Sequence, residues 1–135
     1  MAEFLSKYQC KNPVVLIVFN RPEKTAVLLE RLKQVTPGKI YVISDGPREN
    51  RKDDLLLVDQ VRSLIDEKID WDCNLNKIYS PKNLSGPIRV PSGFDEVFAT
   101  EKQAIILEDD CIPSVSFFRF CDELLDKYST DQRIG

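Results

Sequence analysis

Histidine is absent from all 135 residues. That absence argues against the usual Cys/His zinc sites. The four cysteines, Cys10, Cys73, Cys111 and Cys121, are widely spaced and include no CxxC pair, so a thiol-based zinc site has no support either. With no histidine to activate them, Cys111 and Cys121 read as small apolar packing residues rather than nucleophiles. Free thiols of this kind suit a reducing compartment, so the expected localisation is cytoplasmic.

Glycine is scarce, at 5 residues, and none builds a phosphate-cradling loop. There is no GxGxxG and no GxxxxGK[ST], which disfavours a dinucleotide-binding Rossmann domain and a P-loop NTPase. A sugar nucleotidyltransferase would carry a glycine-rich loop after its first strand, where this chain has Asn20-Arg21-Pro22. Long apolar runs are missing too. The longest, residues 14–19, is strand-sized and far from the ~20 residues needed to span a bilayer, so no transmembrane segment is expected. Residues 1–12 alternate polar and apolar with no signal-peptide core and read as a lead-in.

Positive charge is not in excess: the net charge is -3 and the isoelectric point about 5.1. This argues against a nucleic-acid partner, whose binding face is usually basic. It leaves anionic ligands open, because backbone amides and a bound cation can neutralise phosphate locally. A hydrophobic content of 42%, a charged content of 30% and a mean hydropathy of -0.28 are those of one globular domain.

Within that domain, apolar strand-like runs alternate with helical patterns. Val14-Val15-Leu16-Ile17-Val18-Phe19 is β-branched and unbroken, as in a strand buried on both faces. Asn20-Arg21-Pro22 then opens a helix with proline in its first turn, and Pro37-Gly38 ends it. Residues 39–44 form a second strand closed by the turn Asp45-Gly46-Pro47. A helix starting near Lys52 or Asp53 carries Leu57, Val61, Leu64 and Ile65 on one face. Residues 75–79 make a third strand, residues 80–91 a proline-rich loop, and residues 92–98 a short helix. A fourth strand over residues 103–107 runs into Glu108-Asp109-Asp110, and a last amphipathic helix follows Pro113.

This order predicts an α/β fold, a three-layer α/β/α sandwich with a mostly parallel sheet and right-handed crossovers. Ligands of such sheets bind at the carboxyl ends of the strands. Three polar clusters fall there: Asn20-Arg21, Ser44-Asp45-Gly46 and Glu108-Asp109-Asp110. Taken alone, each is also what a helix start, a turn or a solvated acidic loop contains. Together they describe one face. Consecutive carboxylates repel unless a cation or donors offset them, and hard oxygen ligands suit Mn²⁺ or Mg²⁺ bridged to phosphate. Asp45 can accept from a base or ribose, Gly46 permits close backbone approach, and Lys82 and Arg89 can donate to a diphosphate.

These blocks, residues 13–22, Ser44-Asp45-Gly46-Pro47 and residues 105–113 with Phe117-Phe118 following, resemble the GT-A-fold glycosyltransferases. The likeness is to bacterial family 2-like sugar transferases and the N-acetylglucosaminyltransferase I group, and covers residues 13–135. It implies a nucleotide-diphosphate sugar donor, commonly a UDP-sugar, and a saccharide or glycan acceptor. Asp110 would bind Mn²⁺ or Mg²⁺, with Glu108 and Asp109 facing the ribose or the metal's water shell. Asp45 would contact the uracil or ribose, Asn20 and Arg21 would flank the base, and the loop from Lys82 to Arg89 would close over the donor. It further implies that Asp131-Gln132-Arg133-Ile134-Gly135 begins another strand, so that the chain is the donor-binding part of a longer enzyme whose acceptor half supplies the catalytic base. The alternatives are a non-catalytic nucleotide- or partner-binding α/β module and a phosphoacceptor domain. The latter needs a phosphorylatable Asp after a central strand and a Lys after a later one, and neither can be placed.

Overall fold

The computed structural model of the protein describes residues 8–128. The proposed further strand at Asp131-Gln132-Arg133-Ile134-Gly135 and the first part of the lead-in, residues 1–7, lie outside them. Eight elements alternate strictly: β1 (Val14–Val18), α1 (Pro22–Val35), β2 (Lys39–Ser44), α2 (Asp54–Lys68), β3 (Asn74–Tyr79), α3 (Gly86–Phe98), β4 (Ile105–Glu108) and α4 (Val115–Tyr128).

The four strands form one sheet in the order β3-β2-β1-β4, and every neighbouring pair is parallel. The expected α/β architecture with a parallel sheet is the one observed. Parallel strands need a crossover, and each strand-to-strand connection here contains one helix. The chain steps outward from β1 to β2 to β3, then returns past β1 to place β4 on its other side. That reversal puts the topological switch point between β1 and β4.

Period-two alternation divides the core between the two faces of the sheet. Val14, Leu16 and Val18 of β1 join Ile40 and Val42 of β2 under α1, α2 and α4, with Leu28, Leu32, Val61, Ile65 and Phe118. Val15, Tyr41 and Ile43 point the other way, towards Val97 and Phe94 of α3. Gly93 lets α3 lie directly on β2, since a Cβ there would meet the Ile43 side chain at 2.7 Å.

The boundaries closest to the candidate site differ from the sequence-based expectation at α3 and β4. Residues 86–91 are the first turns of α3 rather than loop. Pro87 occupies the first turn, where a missing N–H removes no helical bond. Pro91 forgoes one bond to the carbonyl of the exposed Pro87, which water can satisfy. The amides of Ile88 and Arg89 both donate to the Ser85 carbonyl, at 3.1 and 2.8 Å, and so start the helix. Arg89, expected in the loop that closes over the donor, therefore holds a helical position in α3. The second difference is at β4, which runs from Ile105 to Glu108 rather than over residues 103–107 and so takes in the first acid of the triplet.

The described part of the lead-in belongs to the fold. Cys10 is buried, its amide donates to the Val35 carbonyl at 2.8 Å, and Tyr8 packs against the larger core cluster. Among the described residues, no helix is long and apolar enough to cross a membrane.

Candidate functional site

At the carboxyl end of β1, Asn20 and Arg21 point in different directions. The Asn20 amide donates to Asp54 Oδ1 at 3.1 Å. Arg21 reaches across the switch point instead and clasps Asp109, with Nε on Oδ2 at 3.1 Å and Nη2 on Oδ1 at 2.5 Å. Two fork-like bonds to one carboxylate are the strongest form of this contact.

Asp54 opens α2, where an acid suits the helix N-terminus, but its principal work is elsewhere. It accepts from the Arg48 amide at 3.0 Å, from Arg48 Nε at 2.6 Å and from Arg48 Nη2 at 3.0 Å. The Arg48 guanidinium beside it holds the Asp54 carboxyl well below the usual carboxylate range, against the opposing effect of burial. Arg48 in turn lies over the Phe19 ring, 5.4 Å from its centre. Neither Arg48 nor Asp54 had been singled out as a site residue from the sequence. The one available signal was position, directly after a strand-ending turn.

At the end of β2, Asp45 is buried and organises its own loop. Its Oδ1 accepts from the Gly46 amide at 2.8 Å, the Ser80 hydroxyl at 3.0 Å and the Leu84 amide at 2.8 Å. All three bonds fall on one oxygen, leaving Oδ2 outside this set. Gly46 does permit close backbone approach, but to the chain itself: a Cβ there would lie 2.5 Å from the Lys82 backbone. Arg62 of α2 collects the ends of both strands, donating to the Ser44 hydroxyl at 3.1 Å and to the carbonyls of Asp45 and Ser80 at 3.1 and 3.0 Å. It stacks over Tyr79 at 4.5 Å, and burial lowers its pKa from the ordinary arginine value. Burial also pushes the Tyr79 phenol up to about 12.

These elements enclose a cavity of about 370 Å³ lined by Ile17, Phe19, Ile43, Asp45, Arg48, Asn83, Arg89 and Val90, among others. Arg89 is only 7% exposed, and its Nε has no hydrogen-bond partner. A buried guanidinium left partly unpaired is costly. Arg48 and Asn83 also line an open groove of about 910 Å³, together with Lys82, Arg51 and Lys52. Asp45 and Arg89 therefore share one cavity, and Lys82 lies on the adjoining groove.

The acidic triplet stands one strand away, on the far side of β1. Ile17 pairs with Glu108 in the sheet register. Glu108 and Asp110 are exposed, whereas Asp109 is buried under Arg21. The family resemblance has Glu108 and Asp109 alike facing the ribose or the metal's water shell; pairing with Arg21 sets Asp109 apart from its two exposed neighbours. Among the described residues, no three acids or thiols converge as a ready-made metal-ligand set. Two exposed hard carboxylates still fit Mg²⁺ or Mn²⁺, because such ions are commonly held by one or two carboxylates with water and a ligand's phosphates.

Comparison with known proteins finds no matching family model, no matching curated protein and no matching solved structure. The case for function therefore rests on the site's own chemistry.

Proposed function

We propose that this chain is the donor-binding part of a metal-dependent glycosyltransferase, taking a nucleotide-diphosphate sugar, with UDP-sugars as the first class to test. The observation that carries the reading is Arg89. It is a buried arginine with an unpartnered Nε, lining a small cavity at the carboxyl end of a parallel sheet. Ligands of open α/β sheets bind at that end, and a desolvated guanidinium gains most from a phosphate.

In this reading Phe19, Ile17 and Val90 supply apolar walls for a base, and Asp45 Oδ2 accepts from base or ribose. Arg89 pairs with a phosphate. Asp110, with Glu108 beside it, would hold Mn²⁺ or Mg²⁺ against the diphosphate; a bound cation supplies Lewis-acid stabilisation of the leaving group. The acceptor would be a saccharide or glycan hydroxyl.

The test is calorimetric titration of the protein with UDP in Mn²⁺ and then in excess chelator. Metal-dependent binding that is lost in Asp110→Ala and weakened at least about tenfold in Arg89→Gln supports the reading. Equal affinity with and without metal overturns it. The non-catalytic nucleotide-binding module is then left standing, a reading favoured by the fact that Arg21 already occupies one acid of the triplet.

A further inference from the structure

We propose that the first turn of α3 is a cation-independent seat for one phosphate group, built by Ser85, Gly86 and Arg89. This deepens the nucleotide reading above and rests on it only for what the phosphate is attached to. A helix start alone would not carry it. The deciding feature is Arg89, 7% exposed, with no hydrogen bond or ion pair on its guanidinium among the described residues. Ser85 and Gly86 line the same cavity of about 370 Å³, so the orphaned cation and the start of the helix face one space. The local backbone explains why further donors are free there. Ser85 sits at φ 70° and ψ 149°, a region that a residue with a Cβ occupies only under constraint. There its carbonyl receives the amides of both Ile88 and Arg89, and its side chain makes no capping bond. The Ser85 hydroxyl is thus uncommitted. Pro87 has no N–H, which leaves the Gly86 amide as the one main-chain donor of this turn without an acceptor in it.

A neutral ligand entering this cavity leaves the guanidinium unpaired, which is costly. A phosphate supplies the charge-assisted partner it lacks. Guanidinium, amide and hydroxyl are three separate donors, and they suit the three terminal oxygens of a phosphate ester better than the two of a carboxylate. Arginine keeps its charge at any working pH, so the seat needs no metal ion to attract an anion. Asp45, the acid of the lining, spends Oδ1 on Gly46, Ser80 and Leu84 and forms no ion pair with Arg89. The seat therefore separates a phosphorylated ligand from its unphosphorylated counterpart without a cation. A metal ion adds to it for a diphosphate and does not replace it.

Titrations in excess chelator test this with inorganic phosphate, uridine monophosphate (UMP), uridine and glucuronate. Nuclear magnetic resonance follows the Gly86 amide and the Arg89 Nε–H, and calorimetry gives the affinities. Inorganic phosphate shifts both resonances, and UMP binds about tenfold or more tighter than uridine or glucuronate. Arg89→Gln abolishes most of that preference, and Arg89→Lys, which keeps the charge without the fork, recovers only part of it. Ser85→Ala removes one neutral donor and weakens phosphate binding by about threefold. Ser85 is exposed, so that variant stays readable if Arg89→Gln does not fold. Phosphate that leaves both resonances unmoved, or moves those of Arg51 and Lys52 in the groove instead, overturns the seat. If UDP binds only with Mn²⁺ and UMP in chelator binds no tighter than uridine, the seat falls and the nucleotide reading stands. If phosphate binds at Gly86 and Arg89 but UDP binds under no condition, the nucleotide reading falls and the seat stands.

Discussion

The two ends of the sheet treat buried polar groups in opposite ways. At the amino end Asp122 of α4 is buried, and its carboxylate accepts from the Tyr8 hydroxyl, from the Lys11 amide at 2.8 Å, and from the Asn12 amide and side chain at 3.1 and 2.7 Å. Nearby, Glu101 accepts from both Lys39 and Tyr41 at 2.6 Å. At the carboxyl end, Arg89 keeps a buried Nε without a partner, and the Tyr79 hydroxyl on β3 does too. Among the described residues these are the only buried side-chain polar atoms so placed. One end closes its polar network on itself and acts as a clamp. The other pairs Asp45, Arg62, Asp54 and Asp109 but leaves these two buried atoms open.

The comparison can be broken most forcefully at Asp122. Asp122→Ala strands four donors around a buried site and is expected to cost about 3 kcal/mol. Urea denaturation should register that loss, while UDP affinity of the remaining folded protein stays unchanged. Gly46→Ala tests the loop that walls the cavity. Its new Cβ meets the Lys82 backbone at 2.5–2.8 Å, and backbone has little room to yield, so a loss of about 2 kcal/mol is expected together with weaker nucleotide binding. Arg89→Met should act in the opposite sense at the open end. Replacing a partly unpaired buried cation by an apolar side chain is expected to leave stability unchanged or raise it by about 1 kcal/mol. A clear loss of stability would show that Arg89 belongs to the clamp class instead.

The last test is read in acid, and its sign is the diagnostic part. The Asp54 carboxyl is lowered chiefly by the Arg48 guanidinium, with burial opposing. Asp122 is lowered as well: burial works to raise it, but the donors from Tyr8, Lys11 and Asn12 outweigh that effect. A group depressed in the folded state stabilises above its unfolded pKa of about 3.9 and loses that contribution as pH falls through the folded value. Stability should therefore decline with acid below about pH 4. Asp54→Asn should make that acid limb shallower, as followed by circular dichroism during acid titration. An unchanged acid limb would mean that Arg48 is equally well paired in the unfolded chain.

Much of the fold was legible because it rests on local pattern. The β-branched run from Val14 to Val18 and the β2 run could be placed directly, since strands buried on both faces read as continuous apolar segments. The start of α3 was not legible. Pro87 and Pro91 suggest loop, and only Gly93 packing on Ile43 and the Ser85 turn make the helix worthwhile. In the site, Asp45 and Gly46 were recognised at the end of the second strand and Arg89 in the loop beyond the third, but their roles were not separable by type. Asp45 and Gly46 mainly build the loop, and Arg89 is the one left open. Arg48, Asp54 and Arg62 were not legible as site residues because a charged residue before or along a helix looks like a solvated surface charge.

The sequence by itself determined the alternation of strands and helices, the parallel sheet and the face on which polar residues gather, because periodicity and turn chemistry act over a few residues. Only the tertiary structure decided which charges are spent and which are free. Arg21 and Asp109 are 88 positions apart and become partners only because β4 inserts beside β1. That one contact divides an acidic triplet of uniform composition into a buried, neutralised acid and two exposed ones.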